Sequence, residues 1–505
     1  MADALTSDER HRAKLRYAKA AGVAVPSNVA FAGALDGPDR AAWTSGGALR
    51  KPTRTLSGVA VVAVMTAPAA CPHGRCTYCP GGLERGTPQS YTGEEPSALR
   101  GAQFGWDARA ITEHRLTALA ATGHPTSKVE VIVMGGTFPS RPRSYQETVL
   151  RGIFDGLNGT TSATLAEAQA VNERAEHRCV SLTVETRPDW CGPEVLPWLL
   201  DAGVTRVELG VECLTDSVLA SVNRAHRAGD VADATKSARD AGLKVAYHWM
   251  LGLPGMDPAR DLADFARLFG DPSYRPDMLK IYPTLVIPGT ELHSDWVAGR
   301  YVPYETATAV DVIARMKERI PKWVRIQRIQ RDIPARLIAA GVRAGNLREL
   351  VLARLAERGG RCPCLRCREP GRRAAPDPDR FVPWETHYEA SGGTEWFLSL
   401  EDPETETVAG FLRLRVPGSD SVGLDGPVVR ELKVLGPETP VGHAAPAGGY
   451  QHRGFGRALL GRAEEVARST GAPRLYVTSA VGTRDYYRNL GFGPAGAYLA
   501  KPLFS

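Results

Sequence analysis

The stretch CPHGRCTYCP, residues 71–80, limits most strongly what this chain can fold around. Cys71, Cys76 and Cys79 lie within nine residues, and the next cysteine is Cys179. Thiolates at such a spacing hold zinc or an iron–sulfur cluster. A closed zinc site needs a fourth ligand nearby, whereas a 4Fe–4S cluster held by three cysteines keeps one iron open for a substrate such as S-adenosylmethionine. The spacing favours the cluster and leaves zinc as the alternative.

Length and composition describe a multidomain globular protein. The chain has 505 residues, 43% of them hydrophobic and 23% charged, which is more than one ordinary domain needs. It has no apolar run long enough to span a membrane and a polar N-terminus, so we expect neither a membrane span nor a secretory signal. Nine unevenly spaced cysteines suit a reducing cytoplasm, where thiols stay free for metals.

An alternation of strands and helices predicts the fold of residues 56–300. Apolar, strand-sized stretches are separated by helical patterns, and they occupy residues 57–68, 129–134, 179–186, 206–212, 244–251 and 278–287. Continuous apolar strands of this kind are parallel and covered on both faces. The pattern predicts an α/β domain, a partial TIM-like (βα)6 barrel with its site at the carboxyl ends of the strands. Glycine-containing loops at 135–137 and 252–255 either are tight turns or line a cofactor pocket at that rim.

The segment 301–375 is basic and poor in strand patterns. Its positive charges either form a solvated helix face or follow a phosphate backbone, since Trp323 and bulky aliphatic residues interleave with them. Cys362, Cys364 and Cys367 then lie within six residues of a Pro/Arg-rich loop. This spacing favours a zinc site completed by a distant ligand, with a redox cluster or free thiols as alternatives. The segment is therefore predicted to be a zinc-binding linker.

Residues 376–505 show a different pattern, of antiparallel strands followed by a glycine-rich loop. The loop, residues 451–456 of sequence QHRGFG, opens a helix, and backbone N–H groups at a helix start bind pyrophosphate. Together with the strand RLYVTS and the segment VGTRDYYRNLGF, it is similar to the GNAT acetyltransferase pattern, whose loop binds acetyl-CoA. Tyr486 and Tyr487 are either core aromatics or contacts to that ligand. We predict an α+β GNAT domain.

Long strings of this chain resemble the Elp3 family, the catalytic subunit of Elongator and its stand-alone prokaryotic relatives. They occur in order from about residue 50 to the C-terminus: CPHGRCTYCPGG, KVEVIVMGGTF, ETRPDW, MLKIYPTLVIPGTEL and QRDIP. The four residues between the first two cysteines agree with this family, because most radical-SAM enzymes have three there.

The resemblance implies one reaction that uses both modules. S-adenosylmethionine on the cluster would give a 5'-deoxyadenosyl radical, which takes hydrogen from the acetyl group of acetyl-CoA. The acetyl carbon would then join carbon-5 of the wobble uridine of tRNA, and thioester hydrolysis would leave 5-carboxymethyluridine. The implied enzyme is a radical-SAM acyltransferase that binds the anticodon stem-loop of tRNA and needs a one-electron donor. Elongator-like subunits and a homodimer are left open.

The resemblance also carries residue roles. Catalytic residues would be Cys71, Cys76 and Cys79 on the cluster, with Lys128 and Tyr487 at the acetyl donor. S-adenosylmethionine and acetyl-CoA would be bound by Lys128, Gly135, Gly136, Glu431, Leu432, Lys433, Val434, Gln451, Gly454, Phe455, Gly456, Arg457, Tyr486 and Tyr487. A structural zinc would be held by Cys362, Cys364 and Cys367. The tRNA surface would include residues 1–55 and the basic side chains Lys322, Arg325, Arg328 and Arg331.

Four residues at three places depart from the family pattern, and two other functions compete with the first. Lys433 stands where the family has His, Glu212-Cys213 where it has Gln then Ser or Thr, and Ala225 where it has Gly. The competing functions are a protein lysine acetyltransferase that needs only the GNAT domain, and an RNA-binding scaffold whose cluster is structural. A Cys76→Ser variant distinguishes tRNA modification from lysine acetylation, because only tRNA modification needs the cysteines.

Overall fold

The computed structural model describes residues 7–26, 31, 34–39, 43, 54–421, 423–439 and 448–504. Helix α1, Ser7–Ala21, is the N-terminal element. Much of the segment 1–55, predicted to bind tRNA, lies outside the described residues, so that role stays a prediction. Within the described residues, no helix combines the length and the apolar character needed to cross a membrane.

A curled parallel sheet forms the first domain. Its seven strands pair in chain order, each parallel to the next, and they are β1 Ala60–Met65, β2 Lys128–Met134, β3 Arg178–Thr186, β4 Arg206–Glu212, β5 Lys244–Leu251, β6 Met278–Pro283 and β7 Arg325–Ile329. Among the described residues, β1 and β7 do not pair with each other. The result is an open half-barrel rather than a closed one.

Helices follow the strands of this sheet along the chain, and several of them cover its outer face. They are α2 Pro96–Gln103, α3 Ala108–Ala121, α4 Arg143–Asn158, α5 Leu165–Asn172, α6 Leu196–Asp201, α7 Asp216–Ser221, α8 Ala228–Asp240, α9 Pro258–Gly270, α10 Glu291–Val297, α11 Thr306–Glu318 and α12 Leu347–Glu357. The start of α9 illustrates how the sequence sets a helix end. The Asp257 side chain accepts hydrogen bonds from the N–H groups of Ala259 and Arg260, and a proline occupies the first turn. The outward side chains of the strands, such as Val62 and Val131, are fully buried against these helices.

The half-barrel is larger than the sequence predicted. Strand β7 comes from the segment 301–375, which we expected to be a linker poor in strands, and it pairs with β6 through Met278–Arg325 and Leu279–Ile326. The six predicted strands are therefore six of the seven strands of this sheet. Strand β7 depends on a contact that is distant in sequence, because Arg325 pairs with Glu369, a residue of the cysteine-containing loop.

The second domain is a mixed sheet with one long helix. Its strands are β8 Val382–Ala390, β9 Gly393–Glu401, β10 Val408–Val416, β11 Val428–Val434, β12 Arg474–Val477, β13 Gly493–Ala495 and β14 Tyr498–Pro502. They lie in the order β13-β14-β12-β11-β10-β9-β8, antiparallel except for β11 with β12. Helix α13, Phe455–Ser469, packs on this sheet through Leu459 and Leu460, and α14 is Arg484–Arg488. The predicted α+β domain is present.

The second domain packs against the amino ends of the barrel strands. Arg430 of β11 forms ion pairs at 2.7 Å with Asp277, which precedes β6, and at 2.6 Å with Glu395 of β9. All three side chains are almost fully buried. A buried arginine between two carboxylates fixes the relative position of the two sheets, because neither charge can be left alone in the interior.

Candidate functional site

The cysteine loop lies at the carboxyl end of the half-barrel, directly after β1. Cys76 and Cys79 are buried and Cys71 is half-buried. The described residues contain two groups of three metal-ligating side chains whose ligand atoms lie within 4.8 Å of one another, and the Cys71, Cys76 and Cys79 thiols are not among them. A single zinc with Zn–S bonds of about 2.3 Å would hold its sulfurs at most about 4.6 Å apart. The wider spacing fits a cluster better than a single ion.

Arg224 supplies positive charge to this loop. Its Nη1 lies 3.8 Å from Cys76 Sγ, and its Nη2 lies 3.3 Å from the Glu212 carboxylate. Burial, followed by the neighbouring thiols, raises the pKa of the Cys71 thiol to about 11. A free Cys71 thiol is therefore protonated at neutral pH, and a metal must displace its proton on binding. Glu212, one of the departures from the family pattern, compensates the charge of Arg224.

The glycine loop after β2 lies beside the cysteines. Gly135 and Gly136 have φ of 122° and 105°, in the region that L side chains rarely adopt. A Cβ on Gly135 would come within 2.4 Å of Thr66 Oγ1, and one on Gly136 within 4.0 Å of Cys71 Sγ. Gly136 lines the cavity described below, whereas Gly135 packs against the end of β1. The close approach of this loop to Cys71 suits a small ligand on the cluster.

The glycine-rich loop of the second domain opens helix α13. Gly454 has φ of 85° at the helix start, and a Cβ there would meet no heavy atom of the described residues within 4 Å. Next to it, β11 and β12 pair only at Val428–Tyr476 and Val429–Val477. Beyond that point the two strands no longer pair within the described residues, and residues 431–434 line the cavity, with Gln451 Nε2 donating to the Val434 carbonyl. A wedge beside free helix N–H groups fits the pyrophosphate and the amide-bearing arm of coenzyme A.

Of the two tyrosines, Tyr487 is buried and Tyr486 is 42% exposed. Tyr487 packs on Tyr486 and Phe492 with ring centroids 5.1 and 5.8 Å apart. Burial raises the pKa of Tyr487 above its ordinary value, so this hydroxyl stays protonated and can act as a hydrogen-bond donor. Both rings line the cavity.

Lys128 connects the two domains. It is the first residue of β2, and its Nζ donates to Gln451 Oε1 at 2.8 Å and to the Thr439 carbonyl at 2.9 Å. Gln451 Oε1 also accepts the N–H of Thr439. Two residues that the resemblance assigned to the acetyl donor, 323 positions apart, are thus in direct contact.

One continuous cavity of about 1570 Å³ joins these features. Its walls include Cys71 and Gly136 at one end and Gly454 and Tyr487 at the other. Further predicted residues that line it are Lys128, Arg325, Arg328, Arg331, Glu431, Leu432, Lys433, Val434, Gln451, Phe455, Gly456, Arg457 and Tyr486. The predicted site is therefore one space shared by both domains. Lys322 and Cys362, Cys364 and Cys367 are not part of its walls.

Charged side chains inside the half-barrel were missed by sequence reasoning. Six of them, which we call the lumen collar, cross the barrel between β2 and β6: Glu130, Glu185, Arg206, Glu208, His248 and Lys280. Lys280 Nζ contacts Glu208 and lies 3.7 Å from Glu185, so the group formed by Glu185, Glu208 and His248 already holds a cation. The sequence carried a signal, because charged residues recur every second position within the strands, as in Lys128–Glu130 and Arg206–Glu208.

Comparisons with known proteins agree with this arrangement. Residues 67–269 match the Radical SAM superfamily, 276–357 the Radical_SAM C-terminal domain and 365–492 the Acetyltransferase (GNAT) family. The tRNA uridine(34) acetyltransferase of Methanocaldococcus jannaschii is 46% identical, covering 90% of this chain and 86% of that protein. Elongator complex protein 3 of Homo sapiens is 42% identical over 90% of this chain and 86% of its own length. The chain belongs to the Elp3 family.

A solved structure of the same family agrees in fold. The Methanocaldococcus infernus Elp3 with an N-terminal deletion has a TM-score of 0.78 and 41% identity, and the match covers 89% of this chain and 100% of that one. This confirms the predicted radical-SAM and GNAT domains of an Elp3-family enzyme. As in other radical-SAM and GNAT proteins, the cofactors to be expected are a 4Fe–4S cluster with S-adenosylmethionine and acetyl-CoA.

The four basic residues predicted to bind tRNA do not form one solvated face in this Elp3-family chain. Arg325 is buried against Glu369 and Ser57, and Arg331 donates to the Ser90 carbonyl beside Tyr91. Arg328 lines the cavity, 38% exposed. Lys322 lies outside the cavity and pairs with Glu406. The basic run therefore splits into cavity wall and surface: Arg325, Arg328 and Arg331 line the cavity, whereas Lys322 precedes β7 and lies outside it.

The second cysteine group of this Elp3-family chain is compact. The Sγ atoms of Cys362, Cys364 and Cys367 lie within 4.8 Å of one another, a separation that suits one zinc. Buried Lys317 donates to Cys367 Sγ at 3.7 Å. The described residues provide no fourth His, Cys, Asp or Glu within that distance, so the expected fourth protein ligand is not among them. The thiols fit a three-cysteine zinc site, and zinc itself stays a prediction.

Proposed function

We propose that this Elp3-family chain modifies the wobble uridine of tRNA with acetyl-CoA as the acyl donor. The observation that carries the proposal is the single cavity between the cysteine loop and the GNAT loop. Two separate activities would not need a common space, whereas one reaction on a shared substrate does. Relatives 46% identical over 90% of the chain are named tRNA uridine(34) acetyltransferase, which supports tRNA as the substrate.

The product we propose is 5-carboxymethyluridine. The 4Fe–4S cluster with S-adenosylmethionine supplies, when bound, the radical chemistry that activates an unreactive acetyl C–H bond. Cys71, Cys76 and Cys79 would hold that cluster, and the loop at Gly136 would border the S-adenosylmethionine. Arg224, 3.8 Å from Cys76 Sγ, compensates the negative charge of the thiolates, and such contacts adjust the reduction potential of a cluster.

The protein's own groups would position the acyl donor. Backbone N–H groups at Gly454 and the first turn of α13 would bind the pyrophosphate. The unpaired edge at residues 431–434 would receive the amides of the coenzyme A arm, and Tyr487, kept protonated by burial, would donate a hydrogen bond to it. Lys128 would fix Gln451 and with it the entrance of the GNAT loop.

The nucleotide would enter from the end of the cavity that carries the cysteine loop. Arg328 and Arg331 lie there beside Tyr91 and Tyr282. Arginines next to aromatic rings suit an unstacked nucleotide, because the guanidinium pairs with phosphate while the base stacks. We propose these two residues, rather than all four of the predicted set, as the cavity's contacts to the anticodon loop. Outer contacts by Lys322 and residues 1–55 remain part of the proposal.

Anaerobic reconstitution with tRNA, acetyl-CoA, S-adenosylmethionine and dithionite, followed by nucleoside mass spectrometry, tests the proposal. We expect 5-carboxymethyluridine from the wild type and none from Cys76→Ser, because the variant cannot hold the cluster. Cys179→Ser is the matched control: Cys179 lies outside the cavity, and a serine can keep its hydrogen bond to the Ser181 carbonyl. A cluster-loaded wild type that forms no modified uridine would overturn the proposal.

The same pair of variants addresses the competing lysine acetyltransferase. That reaction needs the GNAT site but no cluster, so Cys76→Ser would keep full acetylation of a basic peptide. Loss of tRNA modification together with unchanged acetyl-CoA binding identifies the radical reaction. Peptide acetylation by both wild type and Cys76→Ser, with modified uridine from neither, would favour the acetyltransferase alone.

A further inference from the structure

The two cofactor sites lie at opposite ends of the half-barrel. Cys71 and Gly136 follow the carboxyl ends of β1 and β2, whereas the second domain contacts the amino ends of the strands. At that end a Cβ on Gly58, before β1, would lie 2.3 Å from Gln451 Nε2, and Lys128, at the start of β2, is bonded to Gln451. Arg430 likewise reaches the Leu243 carbonyl just before β5.

This separation is too large for the two ligands to meet without a passage. From Lys128 to Met134, six residue steps along β2, the strand spans roughly 20 Å at about 3.3 Å per residue. Radical transfer requires the acetyl group within contact distance of the group at the cysteine end. The acetyl group must therefore travel the length of the strands, while the nucleotide end of coenzyme A stays at the GNAT loop.

The half-barrel offers an interior route and a closed side. Val61 and Ala63 of β1, together with Ile132 of β2, face the cavity, whereas their neighbours Val62 and Val64 are fully buried on the outer face. The open side between β1 and β7 is closed near its amino end. There Arg325 donates to Ser57 at 3.0 Å and pairs with Glu369, and these groups connect the segment before β1 with β7.

The interior also contains polar groups that can bind an amide-bearing chain. In the lumen collar, Arg206 lies 2.6 Å from Glu130 and 3.3 Å from Glu208, and His248 lies 3.2 Å from Glu208. Arg206 Nη2 contacts Glu208 Oε1 itself, so the two buried charges are paired with each other. The six collar residues line the cavity and give its wall a polar character in which an amide can find partners.

We propose that the acetyl-pantetheine arm of acetyl-CoA passes through the interior of the half-barrel, beside Ala63 and Ile132, with the lumen collar as its polar binding surface. This inference rests on the proposed function for the identity of the donor. It assigns the collar a role in binding the arm, which no sequence motif indicated. The arm leaves the edge at residues 431–434, passes the collar residues that line the cavity, and the thioester emerges at the cysteine end.

A blocked interior tests the route by binding alone. Ala63→Trp fills the space one layer beyond Val61, which pairs with Glu130 of the collar. We expect the affinity of the cluster-loaded enzyme for coenzyme A to fall about tenfold or more, with the affinity for adenosine 3',5'-diphosphate unchanged, because that ligand lacks the arm. Val302→Trp, at a position 81% exposed and outside the cavity, should affect neither. Equal affinities of Ala63→Trp and wild type for coenzyme A would overturn the route.

A second variant covers the case in which tryptophan prevents folding. Ala63→Cys places a small thiol on the proposed route, and thiol–disulfide exchange with coenzyme A disulfide would attach one coenzyme A and release another as its thiol. We expect peptide mapping to find the adduct at position 63, and adenosine 3',5'-diphosphate to suppress it by occupying the GNAT loop. Reaction at Val302→Cys should be insensitive to that competitor. No adduct at position 63, or one that the competitor leaves unchanged, would contradict the proposal.

These binding results are independent of the proposed function. A wild type that makes no modified uridine, but whose coenzyme A affinity depends on position 63 as described, would refute tRNA modification and retain the route. A wild type that modifies tRNA while Ala63→Trp binds coenzyme A normally and forms product normally would refute the route and retain the function.

Discussion

At the scale of single residues, the site depends on charges held in places where charge is costly. Lys128 is largely buried, and burial lowers the pKa of its ammonium group. Its acceptors, Gln451 Oε1 and the Thr439 carbonyl, belong to the other domain and to the donor-binding loop. Lys128, the first residue of β2, thus links the half-barrel directly to the GNAT loop.

Replacing Lys128 by methionine should therefore weaken acetyl-CoA binding. The change leaves Gln451 Oε1 with only the N–H of Thr439, and we expect the affinity for acetyl-CoA to fall about tenfold, the equivalent of about 1.4 kcal/mol. S-adenosylmethionine binding should be unaffected. Lys236→Met is the matched control, because that ammonium pairs with Asp240 outside the cavity. Calorimetric titration of both ligands measures the effect, and unchanged acetyl-CoA affinity would contradict it.

Glu130 gives the collar a dependence on pH. Burial by itself would raise the pKa of this carboxyl, but Arg206 and Lys433 lower it from 4.5 to about 2. Because the folded pKa is depressed, the stabilising contribution is complete above about pH 4.5 and is lost as the pH falls toward 2. At neutral pH it amounts to roughly 3 kcal/mol, and about half remains at pH 3.

Urea unfolding of wild type and Glu130→Gln at pH 7 and pH 3 measures this contribution. The difference in free energy of unfolding between the two proteins should shrink by about half at the lower pH. A difference independent of pH would show that Glu130 stabilises by packing and not by its charge.

These residues mark the limit of what sequence could predict. Cys71, Lys128 and Gln451 were predicted because each belongs to a recognisable string, and they border the same cavity. The collar was not predicted, because the apolar residues of these strands together outnumber the charged residues that alternate with them. Arg206 belongs to the collar because it pairs with Glu130, which is 76 positions away. No local sequence pattern shows such a pair.

At the scale of elements, local patterns predicted strands well where burial decides them. Strands β2 to β5 begin and end within one residue of the predicted limits, because their outer faces are buried against helices and their sequences are rich in apolar residues. Strand β6 ends at Pro283, four residues before its predicted limit. Strand β7, of sequence RIQRI, was missed, since two of its five residues are arginines. Its burial pattern depends on Glu369 and Ser57, which belong to distant loops.

The loop of Cys362, Cys364 and Cys367 should bind one zinc per chain. Three thiols within 4.8 Å of one another repel one another once ionised, and a divalent cation removes that repulsion. We expect about one zinc per chain by elemental analysis of the wild type and a large loss in Cys364→Ser. Cys179→Ser should retain the metal. A wild type that contains no zinc after purification and zinc reconstitution would contradict this assignment.

At the scale of the whole molecule, the arrangement of the domains decides the chemistry. The sequence predicted both domains, their order and a ligand site in each, and it placed the site of the half-barrel at the carboxyl ends of the strands. The GNAT domain instead closes the amino ends, through contacts such as Arg430 with Asp277. These residues are 153 positions apart, and a single sequence does not show which buried charges pair. The route through the barrel follows from this packing.

Removing the central arginine should separate the domains. Arg430→Met leaves Asp277 and Glu395 buried with one cation fewer, although Arg413 still lies 3.5 Å from Asp277. Breaking a buried pair in this way costs about 3–5 kcal/mol. The variant should therefore unfold at a lower denaturant concentration than the wild type, with separate transitions for the two domains. Arg462→Met, which removes an exposed pair with Glu385, should cost at most about 1 kcal/mol.

The functional consequence of Arg430→Met distinguishes a shared cavity from two independent sites. If one substrate must reach both ends of the half-barrel, loosening the interface should abolish tRNA modification while S-adenosylmethionine and coenzyme A each still bind. The half-barrel keeps its cysteine loop, and the second domain keeps the loop at Gly454. Modification at the wild-type rate in a variant whose domains unfold separately would mean that the alignment of the two cofactor sites does not depend on this ion pair.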